Sequence, residues 1–283
     1  MADTLKAPGQ PFTFAGVARY ASARFSRLLF TALLFALPGA AVISRVAGHC
    51  WWPVITEAVE ALPETARIQE GTLQVQEKDA HLLAANQFLS LQLTRSAKWQ
   101  ENAPVDLAVQ LGKYELMISS LFGDTALPYP GSSIIILDRA AVWPIWGAWK
   151  GPLLAAVFVG ALASLILGWF ALAVLYAPIA FFVGGIARRE LSFEHAWKIS
   201  VAAQWPASLL MTFALALYST GEIGLLFVII MFLAHFIPSI LNLLIAPFFL
   251  PKAAAREKLE KGNPFATEKR RKRSKKNPFA TGG

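Results

Sequence analysis

Residues 152–186 read PLLAAVFVGALASLILGWFALAVLYAPIAFFVGGI, 35 residues without one charged side chain. A helix needs about 20 apolar residues to cross the hydrocarbon core of a bilayer. This stretch alone points to a membrane protein, and it is long enough that a spanning helix here must tilt, kink or end early. Pro178, then Gly184 and Gly185, interrupt it. The reading therefore places a span over 152–176 and an interfacial or re-entrant continuation within a cytoplasmic connection over 177–200. Working outward, three further apolar runs qualify as spans, over 28–46, 201–219 and 223–250. Composition agrees. Apolar residues make up 55% and charged residues 16%, against roughly 25% charged in soluble domains, and mean hydropathy is +0.48.

Charge orients the spans, because Lys and Arg concentrate on the cytoplasmic side. Residues 1–27 form a cytoplasmic N-terminal segment. Residues 1–46 carry five positive charges and one negative, whereas 47–150 carry seven positive and eleven negative. Residues 251–283, read as a basic disordered cytoplasmic tail, carry eleven positive and three negative. Both termini are thus expected in the cytoplasm of a cell inner membrane and 47–150 outside. A cleaved leader at 28–46 is disfavoured by Pro38-Gly39 within the run and Arg45 after it. Trp51, Trp52, Trp143, Trp146 and Trp149 fall at one expected interface, and Trp197 and Trp205 at the other.

The segment 47–150 reads as a small extracytoplasmic α+β domain, antiparallel in its pairing. Residues 53–62 form a helix. Thr65–Gln69 and Thr72–Val75, in numbers 65–69 and 72–75, flank a turn at Glu70-Gly71. Leu89, Leu91 and Leu93 alternate with polar residues, as do Val105, Leu107, Val109 and Leu111, which marks half-buried strands. Residues 133–137, with three consecutive isoleucines, read as a buried strand. The fold expected is an α-helical integral membrane protein with four transmembrane helices and this domain between the first two.

Two motifs carry a resemblance. One is Leu62-Pro63 followed by Arg67-Ile68-Gln69-Glu70-Gly71-Thr72-Leu73. The other is Leu191-Ser192-Phe193-Glu194-His195-Ala196-Trp197-Lys198-Ile199-Ser200 with Pro206. With the order of one span, an outer domain and three further spans, the chain over most of 20–250 resembles a bacterial family of uncharacterised polytopic membrane proteins related to the Yip-type superfamily. The resemblance implies no activity. Yip-type relatives imply membrane organisation and trafficking.

No HExxH, CxxC, GxSxG or Walker motif is present, and no catalytic residues, metal ligands or cofactors are expected. One cysteine excludes an internal disulfide framework. His49-Cys50 reads as an interfacial pair, with an intermolecular disulfide as the alternative. Glu57, Glu60 and Glu64 read as a solvated helix face. Three features remain. Ala156, Gly160, Ser164 and Gly168 recur every four residues and form a helix-packing face. Gln204, Ser208 and Thr212 face a stripe of His235, Ser239 and Asn242, where His235 lies roughly 19 Å below the start of its helix; it reads as interhelical glue or as a pH-sensitive, solute-lining residue. In the tail, Lys269, Arg270, Arg271, Lys272, Arg273, Lys275 and Lys276 separate two copies of Asn-Pro-Phe-Ala-Thr and are expected to bind anionic lipid headgroups, with no specific nucleic acid. The expected function is non-enzymatic: a membrane-organising protein, or an accessory subunit with a membrane-protein partner or a homo-oligomer. The alternative is a transporter or channel component.

Overall fold

The computed structural model describes residues 11–76, 81–94 and 105–252. Among the described residues four helices are long and apolar enough to cross a membrane, Phe25–Glu60, Arg139–Ile186, Phe193–Ser219 and Leu225–Phe249, and a small sheet region lies between the first two. By its internal contacts the chain divides into two compact units. One comprises Leu33–Leu167 and Ser208–His235, the other the described parts of Met1–Ala32, Gly168–Ala207 and Phe236–Gly283.

The first apolar helix follows α1 (Phe14–Ala18), capped by Thr13, whose Oγ1 accepts from Gly16 N at 3.0 Å. Then α2 (Phe25–Arg45) buries Leu28, Ala32, Ala36 and Ala40 completely. Residues four apart lie on one side of a helix, and small side chains there allow close approach. Gly39 is tighter still: a Cβ there would sit 3.0 Å from Leu165 Cδ1 and 3.4 Å from Thr212 Oγ1. A π turn, Val46–Trp51, carries α2 directly into α3 (Trp52–Glu60).

Among the described residues eight strands follow: β1 (Arg67–Gln69), β2 (Thr72–Gln74), β3 (Leu82–Ala85), β4 (Leu89–Leu93), β5 (Leu107–Leu111), β6 (Glu115–Ser120), β7 (Gly123–Pro128) and β8 (Ile135–Ile136). They form a three-stranded sheet in the order β2-β1-β8 and a five-stranded sheet in the order β3-β4-β5-β6-β7. The β1–β2 turn is the expected one. Glu70 and Gly71 both take positive φ, 52° and 70°, as a two-residue hairpin turn requires. Val54 and Ala58 of α3 pack on Ala84 and Leu89, so the alternating leucines do face a core. The opposite face is buried too, holding Ser90, Gln92, Thr94 and Gln110.

Three expectations need correction. The sheet is not wholly antiparallel, because β4 and β5 run parallel with Leu89 beside Leu107. The isoleucine run is a two-residue strand with Ile134 and Ile136 65% and 55% exposed, not a buried one; it pairs only with β1, at the edge of the smaller sheet. Helix α4 (Arg139–Ile186) does not end at Tyr176. It runs 48 residues, through Pro178. A proline costs a helix one backbone hydrogen bond and a steric kink, yet this helix continues through Pro178 to Ile186.

Beyond α4 come α5 (Phe193–Ala203), α6 (Trp205–Ser219), α7 (Leu225–Ala234) and α8 (Phe236–Ile245). Ser192 caps α5, accepting from His195 N. Leu191 packs where a Cβ on Gly184 would come within 2.8 Å, so the loop of the second motif closes on the end of α4. Trp205 is fully buried, edge-on to Tyr20 with centroids 4.9 Å apart.

Candidate functional site

Two of the apolar helices are interrupted. Gln204 separates α5 from α6, and His235 separates α7 from α8. Pro206 and Pro238 lie just beyond, and neither can donate a backbone hydrogen bond. At the first break the Gln204 amide nitrogen has moved from its helical partner to Val201 O, 3.3 Å away. Its side chain covers the carbonyl left behind. Gln204 Nε2 donates to Ser200 O at 3.1 Å and to Trp169 O of α4 at 3.0 Å. Asn242 Nδ2 of α8 donates to Ala203 O at 3.4 Å. Gln204, Asn242, Ser239 and Ser200 are all buried. An uncovered carbonyl in an apolar interior costs several kcal/mol, so these amides stabilise the broken helix.

Gln204, Ser239 and Asn242 belong to one unit, and Ser208, Thr212 and His235 to the other. Thr212 Oγ1 donates to Ser208 O, one turn back. His235 is half-buried. Its Nδ1 lies against Phe232 O and its ring packs on Phe232, centroids 5.1 Å apart. Ala156, Gly160 and Ser164 are exposed and Gly168 half-buried, and nothing lies within 4 Å of a Cβ built at Gly160 or Gly168. Small-residue faces that are buried lie elsewhere: Ala32, Ala36 and Ala40 on α2, and Ala173, Ala177, Ala180 and Gly184 on α4. The tail residues Lys269, Arg270, Arg271, Lys272, Arg273, Lys275 and Lys276 lie outside the described residues.

A second polar constellation joins the sheet to the helices. Tyr218 OH, at the end of α6, donates to Asp106 Oδ2 at 2.7 Å, and its ring meets Phe88 edge-on at 4.9 Å. Asn86 Nδ2 donates to the carbonyl of Cys50 in the π turn at 2.7 Å, while Asn86 Oδ1 accepts from Phe88 N and Leu89 N. Arg45 Nε donates to Ser219 Oγ at 3.2 Å. Cys50 is fully buried, its Sγ 3.7 Å from Ser219 O. That placement removes it from intermolecular disulfide chemistry. At Gly221, φ +79°, a Cβ would collide with Gln87 Nε2 at 2.3 Å. Apart from the Asn86 turn, these bonds join residues far apart in the chain, 36 positions for Asn86 and Cys50, 112 for Asp106 and Tyr218 and 174 for Arg45 and Ser219, and the only local signal was the turn-forming Asn86.

Two of the tryptophans also come together. Trp52 packs against Trp146 at 5.6 Å. Trp52 Nε1 donates to Lys150 O, and Trp146 Nε1 donates to Thr56 Oγ1. Trp143 and Trp149 are 37% and 58% exposed. Glu57, Glu60 and Glu64 point into solvent, and among the described residues no group of three His, Cys, Asp or Glu side chains could hold a metal ion.

A family model described as "protein of unknown function (DUF1189)" matches residues 28–245. The match takes in the sheets, the second and third apolar helices and most of the first and last. Nothing in it supports a Yip-type relationship. No curated protein matches the chain, and no solved structure does.

Proposed function

The chain belongs to the DUF1189 family of proteins of unknown function, and from that footing we propose that it is a four-span integral membrane protein acting as a non-enzymatic organiser or accessory subunit of a membrane complex. In this reading the sheet domain lies outside the cytoplasmic membrane and both termini lie inside. The basic run of the tail holds anionic headgroups, at about 1 kcal/mol per Lys or Arg near the surface.

The observation that carries the reading is the engagement of the interior amides. Gln204 and Asn242 are bonded to the chain's own carbonyls, which suits a structural core better than a solute path. Assembly then uses the open face of Ala156, Gly160 and Ser164, small enough for another membrane helix to pack closely. Gly160→Leu tests this. It is expected to abolish crosslinking to the partner helix in mild detergent while leaving thermal stability unchanged. Gly39→Leu, by contrast, is expected to destabilise the chain by about 1–3 kcal/mol through overpacking. Wild-type assembly by Gly160→Leu would reject the face. A second reading, a transporter component, draws support from the two interrupted helices, since broken spans line the sites of many transporters. Solute flux in proteoliposomes that His235→Asn abolishes would favour it.

A further inference from the structure

The β6–β7 hairpin closes at the pair Ser120 and Gly123, so its turn consists of Leu121 and Phe122 alone. Two-residue turns favour Asn, Asp and Gly, which accept the required backbone angles and present polar groups to water. Leucine and phenylalanine do neither. Ser120 Oγ accepts from Phe122 N at 3.2 Å and Gly123 takes φ 113°, so flanking residues carry the turn. The two apolar side chains are free to project. Leu121 is 59% exposed and Phe122 81%.

Their position follows from register. Ser120 stands beside Leu107, and Leu107 beside Leu89. The turn therefore lies at the same end of the sheet as Asp106 and Phe88, the residues that meet Tyr218 at the end of α6. That is the end that abuts the apolar helices.

We infer that Leu121 and Phe122 form a wedge that enters the lipid of the leaflet on the sheet-domain side, anchoring the free edge of the sheet to the bilayer that holds the helices. This rests on the reading that the four apolar helices cross a membrane. Asp124 stands next to the turn and no basic residue does, so the wedge is held by apolar burial and not by anionic headgroups.

The test uses the full chain in phosphatidylcholine vesicles carrying doxyl-labelled lipid, with bimane placed singly at Phe122→Cys, Leu127→Cys or Val159→Cys. Cys50 is buried and stays in place, and the unsubstituted chain serves as the blank. Leu127 lies about 16 Å along the hairpin from the tip. Val159, 62% exposed on α4, reports the span. Expected are loss of emission at 122 with shallow doxyl, at 159 with deep doxyl, and none at 127; adding anionic lipid leaves the 122 signal unchanged. Quenching at 159 with 122 behaving like 127 overturns the wedge, leaves the spans standing and assigns the turn to a protein partner or to water. No quenching at 159 removes the membrane reading, and the wedge with it.

Discussion

Tyr129 shows how a single side chain sets the strength of the sheet domain. Its hydroxyl donates to Gly112 O at 3.0 Å, beyond the strand that ends at Pro128. Burial, with Glu115 nearby, pushes its ionisation from the ordinary 10 up to about 12. A group whose pKa rises on folding contributes stability below its unfolded value and loses it as pH climbs toward the folded one. Wild type is thus expected to be more stable than Tyr129→Phe by about 1 kcal/mol near neutral pH, with the gap closing between pH 10 and 12. Thermal melts of both proteins across that range are the check, and parallel pH profiles would sink the assignment. Tyr129 itself carried no mark in the sequence, since a tyrosine after Pro128 reads equally well as solvent-facing loop.

At the scale of elements, the helix breaks are the feature to probe. Gln204→Leu would leave Ser200 O uncovered and release α5 from Trp169 O. A loss of about 1–3 kcal/mol is expected, measured by thermal unfolding in detergent. Asn242→Leu is expected to lose less, its bond to Ala203 O being longer at 3.4 Å. Unchanged stability in both would make the amides functional instead of structural. The sequence announced the elements far better than their meetings. Apolar runs such as 152–186 declare a helix without reference to any partner, and Glu70-Gly71 declares a turn. The continuation of α4 through Pro178 is not legible, because a proline in an apolar run marks either a helix end or a tolerated kink. The junction was invisible for another reason: Asp106 and Tyr218 stand 112 positions apart, and neither residue type is unusual where it sits. The burial of Ala32, Ala36 and Ala40 was in principle legible, as the same four-residue spacing that drew attention to Ala156 and Gly160.

For the whole molecule, the expectation to test is sidedness. The charge difference between 47–150 and the two ends predicts that Gln76→Cys reacts with an impermeant maleimide in intact cells, and Arg270→Cys only after permeabilisation. The opposite pattern would invert the topology. A last consequence concerns the length of the gene rather than any side chain. From Phe25 to Glu60 the backbone is one helix, so losing a single codon almost anywhere within it turns everything beyond by about 100°, swinging Val54 and Ala58 off the sheet. The π turn at Val46–Trp51 is the exception. It already holds one residue more than an α turn would, so a deletion there restores the ordinary helix and keeps both flanks in phase. Frame-preserving deletions in this helix should therefore survive at one place only, in the six codons that encode the turn.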